Sequence, residues 1–153
     1  MSILYSPEAL QPGDVPAELI QVFRARTQAA KGGHLLWEGY AEKGTTPLLI
    51  RNDHSYPVLR LSWCLQWNTE PDGHIRNCGT RLCVAGTHLT DRRLRQREQL
   101  LAAAVLGIDM SGTCAAGHPR AEHGIVLGIG QKVACRACQA AARIVRAAER
   151  RVA

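Results

Sequence analysis

The sequence predicts a small α+β fold that needs a stabiliser besides its hydrophobic core. Three observations lead there. Apolar residues recur at helical spacing in separate stretches, and short β-type runs bounded by turn residues lie between them. Aromatic residues make up only 5% of the 153, with Phe23 the sole phenylalanine, so Leu, Val, Ile and Ala must fill the interior. Six cysteines, several of them closely spaced and near histidines, supply another means of cross-linking. The length fits one domain, or one domain with a small appendage. With 46% hydrophobic and 21% charged residues, the composition is that of a globular chain and not a disordered one. No apolar run is long enough to span a membrane. Met1 to Leu10 lacks a basic region followed by an apolar stretch, so no signal peptide is expected. The expected setting is the reduced cytoplasm, where clustered Cys and His signify metal and not disulfides.

Residues 1–15 read as an irregular arm containing Pro7, Pro12 and Gly13. A helix starts near Pro16, carries Leu19, Ile20 and Phe23, and stops at Gly32-Gly33. Residues 34–67 read as short strands. Leu48-Leu49-Ile50 and Val58-Leu59-Arg60-Leu61 flank a hairpin turn at Asn52-Asp53-His54-Ser55. Trp63 and Trp67 either pack on the core or stack on a partner. Asn68 to Gly73 is a second turn, and residues 74–89 form a loop bearing Cys and His.

Thr90 or Asp91 caps a helix that runs to about Leu106, with Leu94, Leu101 and Val105 as its buried stripe, and Gly107 ends it. Arg92, Arg93, Arg95 and Arg97 crowd its first turns. The helix dipole disfavours cations there, which points to a functional demand. Residues 108–138 are loop-rich and carry Gly112, Gly117, Gly124, Gly128 and Gly130, so hydrophobic burial alone cannot order them. A last helix, 137–151, places Arg143, Arg146 and Arg150 on one face. The expected organisation is an arm (1–15), a core with a first metal cluster (16–107), and a tail with a second cluster and a basic helix (108–153).

Two constellations carry chemistry. The first is Cys78-x4-Cys83-x4-His88. Thiolate and imidazole donors so close together suit tetrahedral zinc, and His34, His54, Cys64 and His74 are all candidates for the fourth donor. The second is Cys114-x3-His118 with Cys135-x2-Cys138, a complete four-donor set. Cys135 and Cys138 enter a helix whose N–H dipoles favour thiolates. A redox pair at Cys135 and Cys138 would leave Cys114 and His118 without a role. Closed sites of four protein donors build structure and do not activate water. Their binding free energy becomes folding free energy, which suits a chain with so thin a core.

Charge is unevenly distributed. Residues 1–75 carry 6 basic and 8 acidic side chains, whereas residues 76–153 carry 13 and 5, a net of +8. Of the 19 basic residues 16 are Arg, whose planar fork fits phosphate and guanine edges. A basic half of this kind implies a polyanionic partner, most often nucleic acid.

Several of these segments together resemble the phage-type HNH (His-Me finger, ββα-metal) endonucleases and the zinc-bearing His-Cys-box homing enzymes. Gly33-His34-Leu35-Leu36-Trp37-Glu38-Gly39 resembles their Gly-Cys-Trp-x-Trp-x-Gly opening. Arg60-Leu61-Ser62-Trp63 is similar to the His-Arg-x-x-Trp strand that follows it. Cys78 to Leu89 resembles the Cys-x4-Cys-Val-x3-His-Leu loop, and Cys114 to Pro119 with Cys135 to Cys138 resembles the Cys-x2-Gly-His-Pro…Cys-Arg-x-Cys tail. The resemblance covers roughly residues 20–150. It implies a ββα-metal core with two structural zinc ions, and it places His34 as the fourth donor beside Cys78, Cys83 and His88, leaving Cys64 a free buried thiol.

The catalytic positions depart from that pattern. Arg76 stands where the family has its general-base histidine, and Arg97 where it has the asparagine that holds Mg2+. Arginine neither takes a proton from water nor ligates a cation. The expectation is therefore a catalytically degenerate, zinc-containing protein that binds double-stranded DNA, in a transcriptional or phage-type regulatory role. Arg76 and Arg97 would grip phosphate. Arg92, Arg93, Arg95, Arg143 and Arg146 would add contacts, and Arg51 and Arg60 would read the groove from strands. Pairing of family members on palindromes admits a homodimer. The alternative is an active endonuclease with His74 as substitute base and Asp91 or Glu98 holding Mg2+. A third reading is a module whose basic face meets an acidic protein.

Overall fold

A computed structural model describes residues 4–7, 10–128 and 132–152. The chain is mixed α+β and forms two compact units, residues 1–92 and residues 93–153. The division falls inside the stretch that the sequence groups as one core, and it assigns nearly all of the arginine-rich helix to the second unit.

In the first unit a four-stranded sheet has the order β1-β6-β5-β4, with β1 Leu4–Tyr5, β4 Ala41–Glu42, β5 Thr46–Arg51 and β6 His54–Pro57. β5 and β6 are antiparallel and pair Leu48 with Pro57 through to Arg51 with His54. Asn52 and Asp53 both have positive φ (49° and 61°), the conformation a two-residue hairpin requires and these residue types tolerate. The expected turn is therefore present. The expected arm is more ordered than an irregular tail: β1 adds to β6 in parallel, and Leu10 is fully buried.

Helix α1, Ala17–Ala25, starts after Pro16 and buries Leu19 and Phe23, but it ends well before Gly32-Gly33. Thr27–Ala30 (β2) and His34–Trp37 (β3) form a second hairpin instead, and the two glycines (φ 77° and 73°) make its turn. Strand pairing outcompetes helix continuation here. The second correction is Val58–Trp67, a helix (α2) where the sequence suggests a strand. Val58, Leu61 and Ser62 are buried at i, i+3 and i+4, and Asn68 closes the helix in the left-handed conformation. A short apolar run does not distinguish helix from strand by periodicity alone. Trp63 is buried and donates Nε1–H to the Thr69 carbonyl, whereas Trp67 is partly exposed beside it. The core of this unit is Leu10, Leu19, Phe23, Trp37, Leu49, Val58, Leu61 and Val84.

The second unit holds α3 (Arg92–Val105, whose first residue lies in the first unit), α4 (Arg120–His123), the antiparallel hairpin β7 (Gly124–Leu127) and β8 (Lys132–Cys135), and α5 (Arg136–Val152). The hairpin was not legible as strands in the sequence. The expected apolar stripe of α3 is covered only at its start: Leu94 is half-buried, but Leu101 is 60% and Val105 87% exposed. Its inward face is Gln96 and Ala103. Gln96 donates Nε2–H to the carbonyls of Ala121 (2.8 Å) and Gly124 (3.3 Å), and Gln99 Oε1 accepts the Val126 N–H at 2.7 Å. Amide side chains do the docking that the pattern assigned to leucine and valine. A Cβ on Gly124 would collide with the Met110 methyl and the Arg120 carbonyl, so this close approach needs glycine.

Candidate metal centres

His34 opens β3, directly after the double-glycine turn. Cys83 is brought beside it by backbone pairing. Leu36 and Cys83 form an antiparallel bridge, Val84 N–H donates to the Leu35 carbonyl (2.7 Å), and Trp37 N–H donates to the Leu82 carbonyl (3.0 Å). Asn77 shapes the loop that carries Cys78. Its Nδ2 donates to the carbonyls of Thr80 and Cys83, and its Oδ1 accepts the Gly79 N–H. His88 sits in a 3-10 turn, Gly86–His88, that packs on α2; a Cβ on Gly86 would collide with Gln66. Ser62 of α2 anchors the same loop by donating its hydroxyl to the Val84 carbonyl at 2.5 Å.

The donor atoms converge. His34 Nδ1 lies 3.4 Å from Cys83 Sγ, 3.6 Å from Cys78 Sγ and 3.0 Å from His88 Nδ1, and Cys83 Sγ is 3.6 Å from His88 Nδ1. A tetrahedron with Zn–S near ~2.3 Å and Zn–N near ~2.0 Å has edges of about 3.3–3.8 Å. Most of these separations therefore match the edges of one coordination polyhedron, and only the His34–His88 pair is tighter.

In the second unit, Cys114 and His118 lie on a tight knuckle. Cys114 N–H donates to the His118 carbonyl (2.9 Å), Gly117 N–H donates to the Cys114 carbonyl (2.9 Å), and Gly117 turns the chain with φ 82°. Cys135 ends β8 and Cys138 lies in the first turn of α5. His118 Nδ1 stands 3.4 Å from Cys114 Sγ, 3.7 Å from Cys135 Sγ and 3.4 Å from Cys138 Sγ, and the Cys114 and Cys138 sulfurs are 3.7 Å apart. That sulfur separation excludes a disulfide and fits a shared cation. All four donors of each cluster fall within 4.8 Å of one another. The two clusters, His34/Cys78/Cys83/His88 and Cys114/His118/Cys135/Cys138, can each hold a metal ion.

Thiol acidity agrees with that chemistry. At Cys78, desolvation works against the thiolate, but hydrogen bonds from Thr80, Cys83 and His88 outweigh it and bring the pKa down to about 6. Cys114 reaches about 6 in the same way: desolvation is outweighed by the His118 and Ala116 N–H groups and by the side chains of His118 and Cys138. Cys138 is pushed up to about 11, chiefly by hydrogen bonding to Cys114 and then to Cys135. Each cluster thus already favours a thiolate before any metal arrives.

The other candidate donors lie elsewhere. Cys64 is buried, donates to the Leu10 carbonyl at 3.4 Å and has its pKa raised by burial. His54 Nδ1 pairs with the Ser6 hydroxyl at 2.7 Å. His74 is exposed and belongs to neither cluster.

The arginines divide by environment. Arg76 is exposed, and its backbone exchanges two hydrogen bonds with Thr90 (2.9 and 2.8 Å). His74 and Arg76 are exposed on either side of buried Ile75, as alternation on an extended segment requires. Arg92 makes a bidentate ion pair with Asp72 (2.5 and 3.0 Å). Arg93 and Arg97 are exposed on α3, and Arg95 is half-buried there. Arg51, at the end of β5, is half-buried, and its Nε has no hydrogen-bond partner among the described residues. Arg60 is the clear departure. It lies on a helix and not a strand, its side chain is only 19% exposed, and it binds the carbonyls of Pro7 and Leu10 and the carboxylate of Glu70 (2.6 Å). It ties the N-terminal segment to α2 and is not presented as a groove reader. Arg143 and Arg146 are exposed on α5. Asn77, Gln96 and Gln99 escaped the sequence reading because single amides carry no periodic signal.

Comparison with protein-family models, with curated proteins and with solved structures gives no significant match. The fold and the two clusters define a small α+β protein with two sites suited to metal ions. Among the described residues no helix is long and apolar enough to cross a membrane.

Proposed function

We propose that this chain is a zinc-stabilised protein that binds duplex DNA through an HNH-like core whose catalytic positions have become arginine. Zinc is the metal these donor sets favour: two sulfurs with two imidazoles, and three sulfurs with one, at tetrahedral spacing and with no open position. Zinc would be structural at both sites, held by the eight Cys and His side chains named above. The reading of the core rests on the resemblance in residues 33–39, 78–89 and 114–138. It is supported by a paired segment at Arg76 and Thr90 that encloses the Cys loop and is followed by α3.

The single observation that carries the DNA reading is Arg76. It stands two residues before the cluster thiol Cys78, solvent-exposed and on an ordered strand-like segment, where the resembling enzymes have their base. A fixed guanidinium there attracts phosphate and repels Mg2+. Exposed Arg97, Arg143 and Arg146 add cationic surface of the same kind, whereas Arg92 is matched by Asp72. Gel-shift titration of duplex DNA across a salt series tests the reading. Binding that weakens log-linearly with salt, with a slope of about −0.9 per neutralised phosphate, is expected. Absence of binding at the lowest salt would remove DNA from the account.

The exposed side chain of His74, on the same side as Arg76, favours a second reading, a metal-dependent nuclease with His74 as base. Asp91 is unsuited to hold its cation, being buried and accepting the Asp72 N–H. Plasmid nicking in Mg2+ or Mn2+ that disappears in His74→Ala would establish this second reading over the first.

A further inference from the structure

The second unit carries a cationic surface that the HNH-like core does not explain. Arg143, Arg146 and Arg150 sit on α5 at i, i+3 and i+7, within one narrow arc of the helix. Together with Ala147 they line a shallow recess of about 210 Å³. All three are exposed, and among the described residues none of them is in an ion pair. Among the described residues their one hydrogen bond is within the helix, Arg146 Nε–H to the Ala142 carbonyl. Three guanidinium groups around one recess repel one another in the absence of an anion. Glu149, the only acid on α5, is the i+3 neighbour of Arg146 at the edge of this arc but is in no ion pair with it among the described residues, and exposed Ile144 and Val145 (71% and 56%) lie off the arc.

The extended shape of the stripe favours an extended anion. Along an α-helix, i to i+7 spans about 10.5 Å. One DNA strand presents a regular row of single phosphate charges, spaced through space more widely than the ~3.4 Å axial rise, and long arginine side chains fanning from the helix reach along such a row. A single small anion would leave part of the stripe unmatched, whereas a phosphodiester backbone satisfies all of it. The root of the helix is fixed: Cys135 and Cys138 tie it to the Cys114–His118 knuckle, and Arg136 donates to Gln96 Oε1 at 3.3 Å. A stripe held at its base is presented in one orientation.

We infer that Arg143, Arg146 and Arg150 form a sequence-independent clamp on consecutive phosphates of one DNA strand, separate from any contact made at Arg76. The inference rests on the DNA-binding reading above and assigns it a second site. The test compares three full-length proteins: the natural chain, the triple variant Arg143→Gln/Arg146→Gln/Arg150→Gln, and a charge-matched control, Arg24→Gln/Lys31→Gln/Lys43→Gln, altered on exposed positions of the first unit. Circular dichroism confirms that each is folded, and binding to two duplexes of unrelated sequence is measured from low to moderate salt.

The expected result is a loss in the α5 variant that is equal for both duplexes, with the log K against log salt slope shallower by about 2.7, close to 0.9 per lost contact. The control should keep most of the natural slope. A natural chain that binds while the α5 variant matches the control in slope and affinity would overturn the clamp and leave the DNA reading standing. Unequal loss on the two duplexes would also overturn it, because backbone contacts do not discriminate sequence. A natural chain that binds neither duplex would overturn both.

Discussion

The two units solve the same problem in opposite ways. The first has a conventional interior: Leu10, Leu49, Val58, Leu61 and Val84 are fully buried around the Phe23–Trp37 pair, and Cys83 of its metal cluster is itself part of that interior. In the second, the buried side chains among the described residues are Ala103, Met110 and the polar Gln96, while all four cluster donors are half-buried. Metal at the first donor set would add to an existing apolar interior, whereas at the second it would cross-link a unit with fewer described buried side chains.

The sharpest way to break this comparison is metal removal. Chelation, or Cys138→Ser, is expected to unfold the second unit, because apparent binding free energies of about 10–16 kcal/mol are typical of small structural zinc sites and the apolar side chains buried among its described residues are Ala103 and Met110. Hydrogen exchange should show residues 112–138 losing protection first while the sheet of β4, β5 and β6 stays protected. Simultaneous loss in both units would erase the distinction.

A core substitution inverts the experiment. Leu61→Ala is expected to cost about 2–5 kcal/mol in the first unit. Denaturant titration followed by exchange should leave the hairpin of β7 and β8 unaffected.

Thiol chemistry sharpens the comparison without a change of fold. In metal-free protein, where the first unit keeps its fold, hydrogen bonds hold the Cys78 thiol down from 9.0 to about 6, so its contribution to stability is fully present above about pH 9 and is lost as the pH falls through 6. At pH 7 Cys78 should be alkylated faster than Cys64, whose pKa burial raises. Mass-spectrometric mapping of modified cysteines reads this order directly, and a faster Cys64 would contradict it. The smallest expected effect is Ser62→Ala, which removes the hydrogen bond from α2 to the Val84 carbonyl. It should cost about 1 kcal/mol in thermal unfolding, with metal content unchanged.

The candidate site was more legible in the sequence than the fold was. The donor residues announce themselves because metal chemistry needs particular atoms at short spacing, and Cys114 to Cys138 form a complete set on that ground alone. His34 did not stand out by spacing, since β3 pairing across many residues brings it to Cys83. Helix and strand boundaries were harder. The Val58–Trp67 run is apolar enough to serve either state, and Gly32-Gly33 marks a turn in both a helix end and a hairpin. The stripe on α3 misled for a different reason. Its docking face is built on Gln96 and Gln99, whose amides satisfy backbone groups around α4 and in β7, and no apolar pattern encodes that.

Elemental analysis of the purified, folded chain tests the central claim most directly. About two zinc ions per chain are expected, falling to about one in Cys138→Ser with the first cluster retained. A chain that is folded in both units and contains no metal would contradict it.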